Sequence, residues 1–147
     1  MNLWRLINPF VVFILRSPLH FLASKNLIFI TFQGRKSKKT FNIPVSYHRE
    51  GNDLIALTLK QNLWWKNLRM LNRTQITLLG KKEYVELKII DQDMQFIKEK
   101  MRELIIEKPI DAYFAKVKLD KNKLPLEEDL IEASQKHIVL KFTLIRS

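Results

Sequence analysis

Gly34-Arg35-Lys36-Ser37-Lys38-Lys39-Thr40 gathers four cations and two hydroxyls into one short segment, the pattern best suited in this chain to hold phosphate. Arginine offers a planar fork of donors, lysine a point charge and serine or threonine a hydroxyl, so a single turn can neutralise and hydrogen-bond a phosphorylated ligand. A solvated hairpin turn would carry the same residues. The segment's place between the apolar run 27–32 and the strand-like run 41–47 favours the binding reading. Other chemistry is sparse. The absence of cysteine excludes disulfides, thiolate metal sites and cysteine nucleophiles, and it fits a reducing, cytoplasmic setting. His20, His48 and His137 are scattered without metal-ligand spacing, so no metal is expected. Tyr47 is a weak candidate proton donor to a reduced substrate, a core or barrel-rim position being the plainer reading for it and for Tyr84. No Ser, His and Asp arrangement is suggested.

These groups need a scaffold. The 147 residues read as one domain, 1–147, long enough to bury a core without staples. Residues 1–25 form its apolar N-terminal segment, read as two short helices, one capped by Asn8 with Pro9 in its first turn and one capped by Ser17 and opened by Pro18. Ile43, Val45 and Tyr47 alternate with polar neighbours, Glu50-Gly51-Asn52-Asp53 supplies a turn, and Ile55, Leu57 and Leu59 alternate again, which predicts a hairpin. Asn62 is placed to cap a short helix with Trp64, Leu68 and Leu71 on one face. Trp65, about 100 degrees away on that helix, is left to rim a pocket or touch a partner. A second hairpin runs from Gln75–Leu79 through Gly80-Lys81-Lys82 to Tyr84–Ile90. Met94, Ile97, Met101, Leu104 and Ile105 mark an amphipathic helix that stops before Pro109. Residues 111–122 are ambiguous, 126–133 read as a short acidic helix, and Ile138, Leu140, Phe142 and Leu144 mark a closing strand. About six antiparallel strands with few helices inserted predict a mainly β, α+β fold closed into a small barrel, because closure removes exposed edges.

A net charge of +11 calls for an anionic partner. Nucleic acid, an anionic membrane face and a phosphorylated cofactor all qualify. Few aromatics are interleaved with the cations, which disfavours nucleic acid; Phe41, Tyr47 and Trp65 are the stacking candidates. The longest uncharged N-terminal run, 6–15, is far short of the roughly 20 residues a membrane span requires. Trp4, Leu6, Phe10, Phe13 and Ile14 beside Arg5 and Arg16 suit either the inner face of a membrane or packing on the core or a dimer partner. A removable signal segment is disfavoured, since Leu22-Ala23-Ser24 matches a cleavage site poorly.

From Asn8-Pro9-Phe10 through Arg16-Ser17-Pro18-Leu19-His20, Gly34-Arg35-Lys36-Ser37 and Pro44-Val45-Ser46-Tyr47 to Gly51, Lys60 and Trp64-Trp65-Lys66-Asn67-Leu68-Arg69, the chain resembles the deazaflavin-dependent nitroreductase and quinone reductase family. That resemblance implies a split β-barrel, shared with FMN-binding flavin reductases and pyridoxamine phosphate oxidases. It also implies hydride transfer from the 8-hydroxy-5-deazaflavin coenzyme (coenzyme F420), or from FMN in its place, to a small-molecule acceptor such as a quinone or nitroaromatic compound. By the same resemblance Arg35, Lys36 and Ser37 hold the phosphate tail, with Lys38 and Lys39 adding charge. Ile43, Pro44 and Val45 run beside the ring system, and Lys60, Trp64 and Asn67 complete the pocket. A homodimer is a further expectation. Three departures stand out: Lys38 where the family usually has glycine, Phe41 where a basic residue is common, and Gln61-Asn62 leading almost at once into the helix where the family has two glycines and a longer connection.

Overall fold

In the computed structural model the chain is described over residues 27–145. The two N-terminal helices expected around Asn8 and Ser17 lie outside this range. Six strands, β1 (Leu27–Gln33), β2 (Thr40–Glu50), β3 (Asp53–Leu59), β4 (Arg73–Leu78), β5 (Lys81–Ile90) and β6 (His137–Leu144), form a closed antiparallel barrel in the order β1-β2-β3-β6-β5-β4. A 3-10 helix (Trp64–Leu68) links β3 to β4. Three helices, α1 (Met94–Glu107), α2 (Ile110–Ala115) and α3 (Glu127–Lys136), fill the connection from β5 to β6.

Alternation decides which side chains enter the barrel. Ile28, Ile30 and Phe32, then Ile43, Val45 and Tyr47, then Ile138, Leu140, Phe142 and Leu144 all point inward. On β3 the inward face is Leu54 and Ala56; Ile55 and Leu57 point outward and pack beneath the helices with Ile97, Val139 and the layer around Met101 and Leu130. The expected hairpin forms, and the alternating Ile55 and Leu57 mark the outer face of β3, because both faces of that strand are apolar and both are covered. The second hairpin is tighter than expected: Leu78 pairs with Lys81, leaving Leu79 and Gly80 as a two-residue turn at φ +51° and +82°. Positive φ at both positions matches the twist of the flanking strands.

At α1 Asp93 accepts from the Phe96 N–H, which caps the helix. Asn62 does not cap the 3-10 helix. Its side chain donates to Thr58 Oγ1 at 3.2 Å instead, and Leu71 lies beyond the helix, exposed. Trp65 is not at a rim either: it is 3% exposed in the barrel core, with its indole N–H donating to the Lys60 carbonyl at 3.2 Å and Arg69 stacked 4.9 Å over its ring. The tight 3-10 helix sits so close to the barrel that both indoles are enclosed. The ambiguous stretch resolves into α2 and an isolated bridge between Leu119 and Pro125.

Trp64, 2% exposed and stacked on Phe32 at 6.2 Å, plugs this end of the barrel. Trp64→Ala is expected to cost about 3–5 kcal/mol, read as a lowered denaturant midpoint with an unchanged m-value.

Candidate cofactor-binding site

The cationic loop joins β1 to β2, and short hydrogen bonds fix its shape. Gly34 N–H donates to the Lys39 carbonyl at 2.8 Å, and Lys38 N–H to the Gly34 carbonyl at 2.9 Å. Gln33 Nε2 donates to the Lys38 carbonyl at 2.8 Å, while Ser37 Oγ accepts from Lys39 N–H at 3.3 Å. A Cβ at position 34 would lie 2.6 Å from Ser37 Oγ and 2.9 Å from the Phe41 ring, so close packing requires glycine there. Lys38 takes φ +61°, the left-handed region where glycine would be relaxed. This is the position where the chain departs from the family's glycine.

Asn67 ties the loop to the 3-10 helix. Its Oδ1 accepts from Arg35 N–H at 3.0 Å and its Nδ2 donates to the Trp64 carbonyl at 2.8 Å. Four loop amides, those of Gly34, Arg35, Lys38 and Lys39, are therefore engaged within the protein. The exposed side chains of Arg35, Lys36, Ser37, Lys38 and Lys39 remain the means of meeting an anion.

Beyond the loop, β2 pairs with β1 from Thr40 to Ser46 and with β3 only from Tyr47 to Glu50. Among the described residues no strand pairs with the 40–46 stretch on the side away from β1. Pro44, which has no N–H to offer, lies in the middle of that stretch. Ile43 and Val45 turn their side chains into the core, and Pro44 between them is buried as well. Trp64 is buried behind the loop. Lys60 directly follows β3, its N–H bonded to the Lys136 carbonyl at 2.8 Å and its carbonyl to the Trp65 indole N–H. Of the three stacking candidates, Trp65 and Tyr47 are enclosed in the core and Phe41 packs partly against Phe32, which leaves nucleic-acid bases little aromatic surface.

The structure also assembles a polar group that has no motif in sequence. Ser46 Oγ donates to Asp111 Oδ2 at 3.1 Å, and Lys108 Nζ donates to the Tyr47 carbonyl while lying 4.6 Å over the Tyr47 ring. Burial pushes the Asp111 carboxyl up to about 6, against the opposing effects of the Ser46 hydrogen bond and of Lys108. Burial lowers Lys108 and raises Tyr47. Lys108 and Asp111 lie more than 60 positions from Ser46 along the chain, and the helical segment after β5 brings them to the strand. Pro109 opening a helix at Ile110 was the one local sign that residues 111–115 would be helical.

A carboxyl raised in the folded state stabilises the fold when protonated. The contribution is present below the ordinary carboxylate value and is lost as pH rises through about 6. Asp111→Asn should thus be near neutral at low pH and stabilising at neutral pH, by up to roughly 3 kcal/mol, in urea melts run across that range. Lys38→Gly should relieve the left-handed strain and raise stability by about 0.5–1 kcal/mol in the same assay.

No family model matches the sequence, and no curated protein matches it. Solved structures do. An FMN-binding protein related to pyridoxamine 5'-phosphate oxidase from Nostoc punctiforme is 13% identical over 95% of this chain and 82% of its own, with a TM-score of 0.57. A protein from Bacteroides thetaiotaomicron described as a 5-nitroimidazole antibiotic resistance protein is 11% identical over 86% of this chain and 77% of its own, TM-score 0.56. An F420-H2 dependent reductase is 12% identical over 80% of this chain and 94% of its own, TM-score 0.50. The fold implied by the resemblance is the fold observed: this chain is a split barrel of the kind seen in FMN-binding and F420-dependent proteins.

Proposed function

We propose that this chain is an oxidoreductase that binds a phosphorylated flavin-type cofactor, the deazaflavin coenzyme F420 or FMN, for reduction of a quinone-like or nitroaromatic acceptor. One observation carries the reading: a cationic loop opens directly onto a strand whose next seven residues, Thr40–Ser46, have among the described residues a strand partner only on the β1 side. A ligand whose phosphate is held at the loop is thereby led along β2 toward Pro44. The residues suit such a ligand. Arg35, Lys36, Ser37, Lys38 and Lys39 are exposed together and would hold the tail, and Ile43, Pro44 and Val45, buried in the chain by itself, would flank the ring. Asn67 would keep the loop against the 3-10 helix, with Trp64 supporting it from the core and Lys60 at the far end of β3. The bound cofactor supplies hydride chemistry, so the protein's task is position, exclusion of water and a proton. Tyr47 is held in the core with Lys108 over its ring, which makes it a poor donor to an acceptor outside the barrel. A homodimer belongs to this reading as well. Among the described residues no helix is long and apolar enough to cross a membrane.

Titration of the purified chain with F420 and with FMN, followed by cofactor fluorescence, is the test. Saturable binding of either at micromolar concentration is expected, and failure of both at tens of micromolar overturns the proposal. Arg35→Ala and Lys36→Ala should each weaken binding by about 1–3 kcal/mol, roughly 5- to 150-fold, and more at low salt than at high salt. Undiminished affinity in both variants would place the phosphate elsewhere on the molecule.

A further inference from the structure

On the outer face of β2, away from the loop, four side chains from two elements converge. His48 and Glu50 stand two apart on the strand and so share a face, and Glu103 and Glu107 stand four apart on α1 and share the face that lies over it. One ligand atom from each of His48, Glu50 and Glu103 falls within 4.8 Å of the others. His48 Nε2 is 3.7 Å from Glu50 Oε1 and 3.9 Å from Glu103 Oε2. Ligand atoms around a tetrahedral ion with bonds of about 2.1 Å are separated by roughly 3.4 Å, so small side-chain movements would close the set. The other imidazole nitrogen, Nδ1, is bonded to the Glu107 carboxylate. A carboxylate on Nδ1 favours the tautomer that directs the Nε2 lone pair at Glu50 and Glu103, the outer-sphere support common to metal-bound histidines.

We propose that His48, Glu50 and Glu103 form a site for a divalent transition-metal ion of the zinc class, with Glu107 orienting His48. One imidazole and two carboxylates suit Zn²⁺ better than Ca²⁺ or Mg²⁺, which prefer oxygen alone. Lys100 is the resident competitor. Its Nζ lies 2.6 Å from Glu50 Oε1 and 3.3 Å from Glu103 Oε2, supplying the positive charge these carboxylates require when no metal is bound. It also lies 5.4 Å over the Phe96 ring, a perch on which the ammonium can remain when an ion displaces it. Metal would join β2 to α1, across the layer that also carries Lys108 and Asp111. The site is independent of the cofactor reading, since none of its residues belongs to the loop or to the 40–46 stretch.

The test uses the full chain without a histidine tag, stripped with EDTA and titrated with ZnCl₂ by calorimetry, with Co²⁺ absorption as a second readout. The expected result is one ion per chain. His48→Gln should abolish the site and Glu107→Gln weaken it by about 10- to 100-fold. Lys100→Gln should tighten it by about 10-fold, a gain that a merely structural ion pair would not produce. Glu103→Gln replaces His48→Gln if circular dichroism shows that variant unfolded. Equal uptake by the wild type and the folded ligand variant, binding seen only in Lys100→Gln, or no binding at millimolar zinc would each overturn the proposal.

Discussion

The parting of β2 from β3 after Tyr47 and Ala56 is the constraint on which the rest of the molecule depends. The hairpin turn pairs Glu50 with Asp53 and so sets which residues face which, but only four pairs form before the strands diverge. From there β3 stays with β6 along its whole length, and β2 stays with β1. The barrel still closes, since β1 pairs with β4 and β4 with β5. Closure therefore coexists with one stretch, 40–46, that among the described residues has no strand partner on its other side, and the cationic loop begins at the end of that stretch. Ile43, Pro44 and Val45 in that stretch are nonetheless buried, so its centre is covered although no described strand pairs with it. Here the exposed Arg35, Lys36, Lys38 and Lys39 stand at its mouth, where like charge opposes pairing with another chain.

The helical layer does a different job. Met101, Ile105, Ala112, Val117, Leu130 and Ala133 form their own core above the outer face of β3. From that layer α1 reaches back to β2 with charged groups: Lys100 to Glu50, Glu107 to His48 and Lys108 to the Tyr47 carbonyl. Within the layer Lys98 and Arg102 both meet Glu127 on α3. Exposed pairs of this kind contribute little each to stability. Their effect is directional, since they fix α1 relative to the C-terminal half of β2. The N-terminal half, from Thr40 to Ser46, is positioned by β1 and the loop, with Ser46 held at the boundary by Asp111.

How much of this was legible depended on whether chemistry or packing set the position. Strand periodicity disclosed the barrel because one face of most strands is polar: Val85, Leu87 and Ile89 against Glu86 and Lys88 could be assigned at sight. It did not tell inward from outward on β3, where Leu54, Ile55 and Ala56 are all buried and alternation carries no phase. The loop was legible because cations and hydroxyls cluster there. Asn67 was legible only through resemblance, and its observed bonds to Arg35 and Trp64 are backbone bonds that no residue pattern announces. Trp65 misled because adjacent helix positions ordinarily diverge, one inward and one outward, whereas this short 3-10 helix buries both. Asp111 with Ser46, and Glu103 with His48, are pairings across more than 50 residues, which depend on where the inserted helices dock.

The engagement of the loop amides bears on what the site can recognise. A phosphate cradle built from backbone N–H groups reads shape, because the donors are fixed and the ligand must fit them. In this loop the amides of Gly34, Arg35, Lys38 and Lys39 are bonded internally, which leaves at most those of Lys36 and Ser37 beside four exposed cations and one hydroxyl. Such a clamp reads charge. Under the proposed function it would accommodate the tail of either cofactor with similar ease, so selection between a deazaflavin and FMN would have to arise at the other end, near Pro44. Lys38 illustrates the trade: a glycine there would relax the loop, while the lysine keeps a cation at the mouth in a strained left-handed turn. Strain retained at an exposed surface position is more readily understood from the proposed ligand than from the fold.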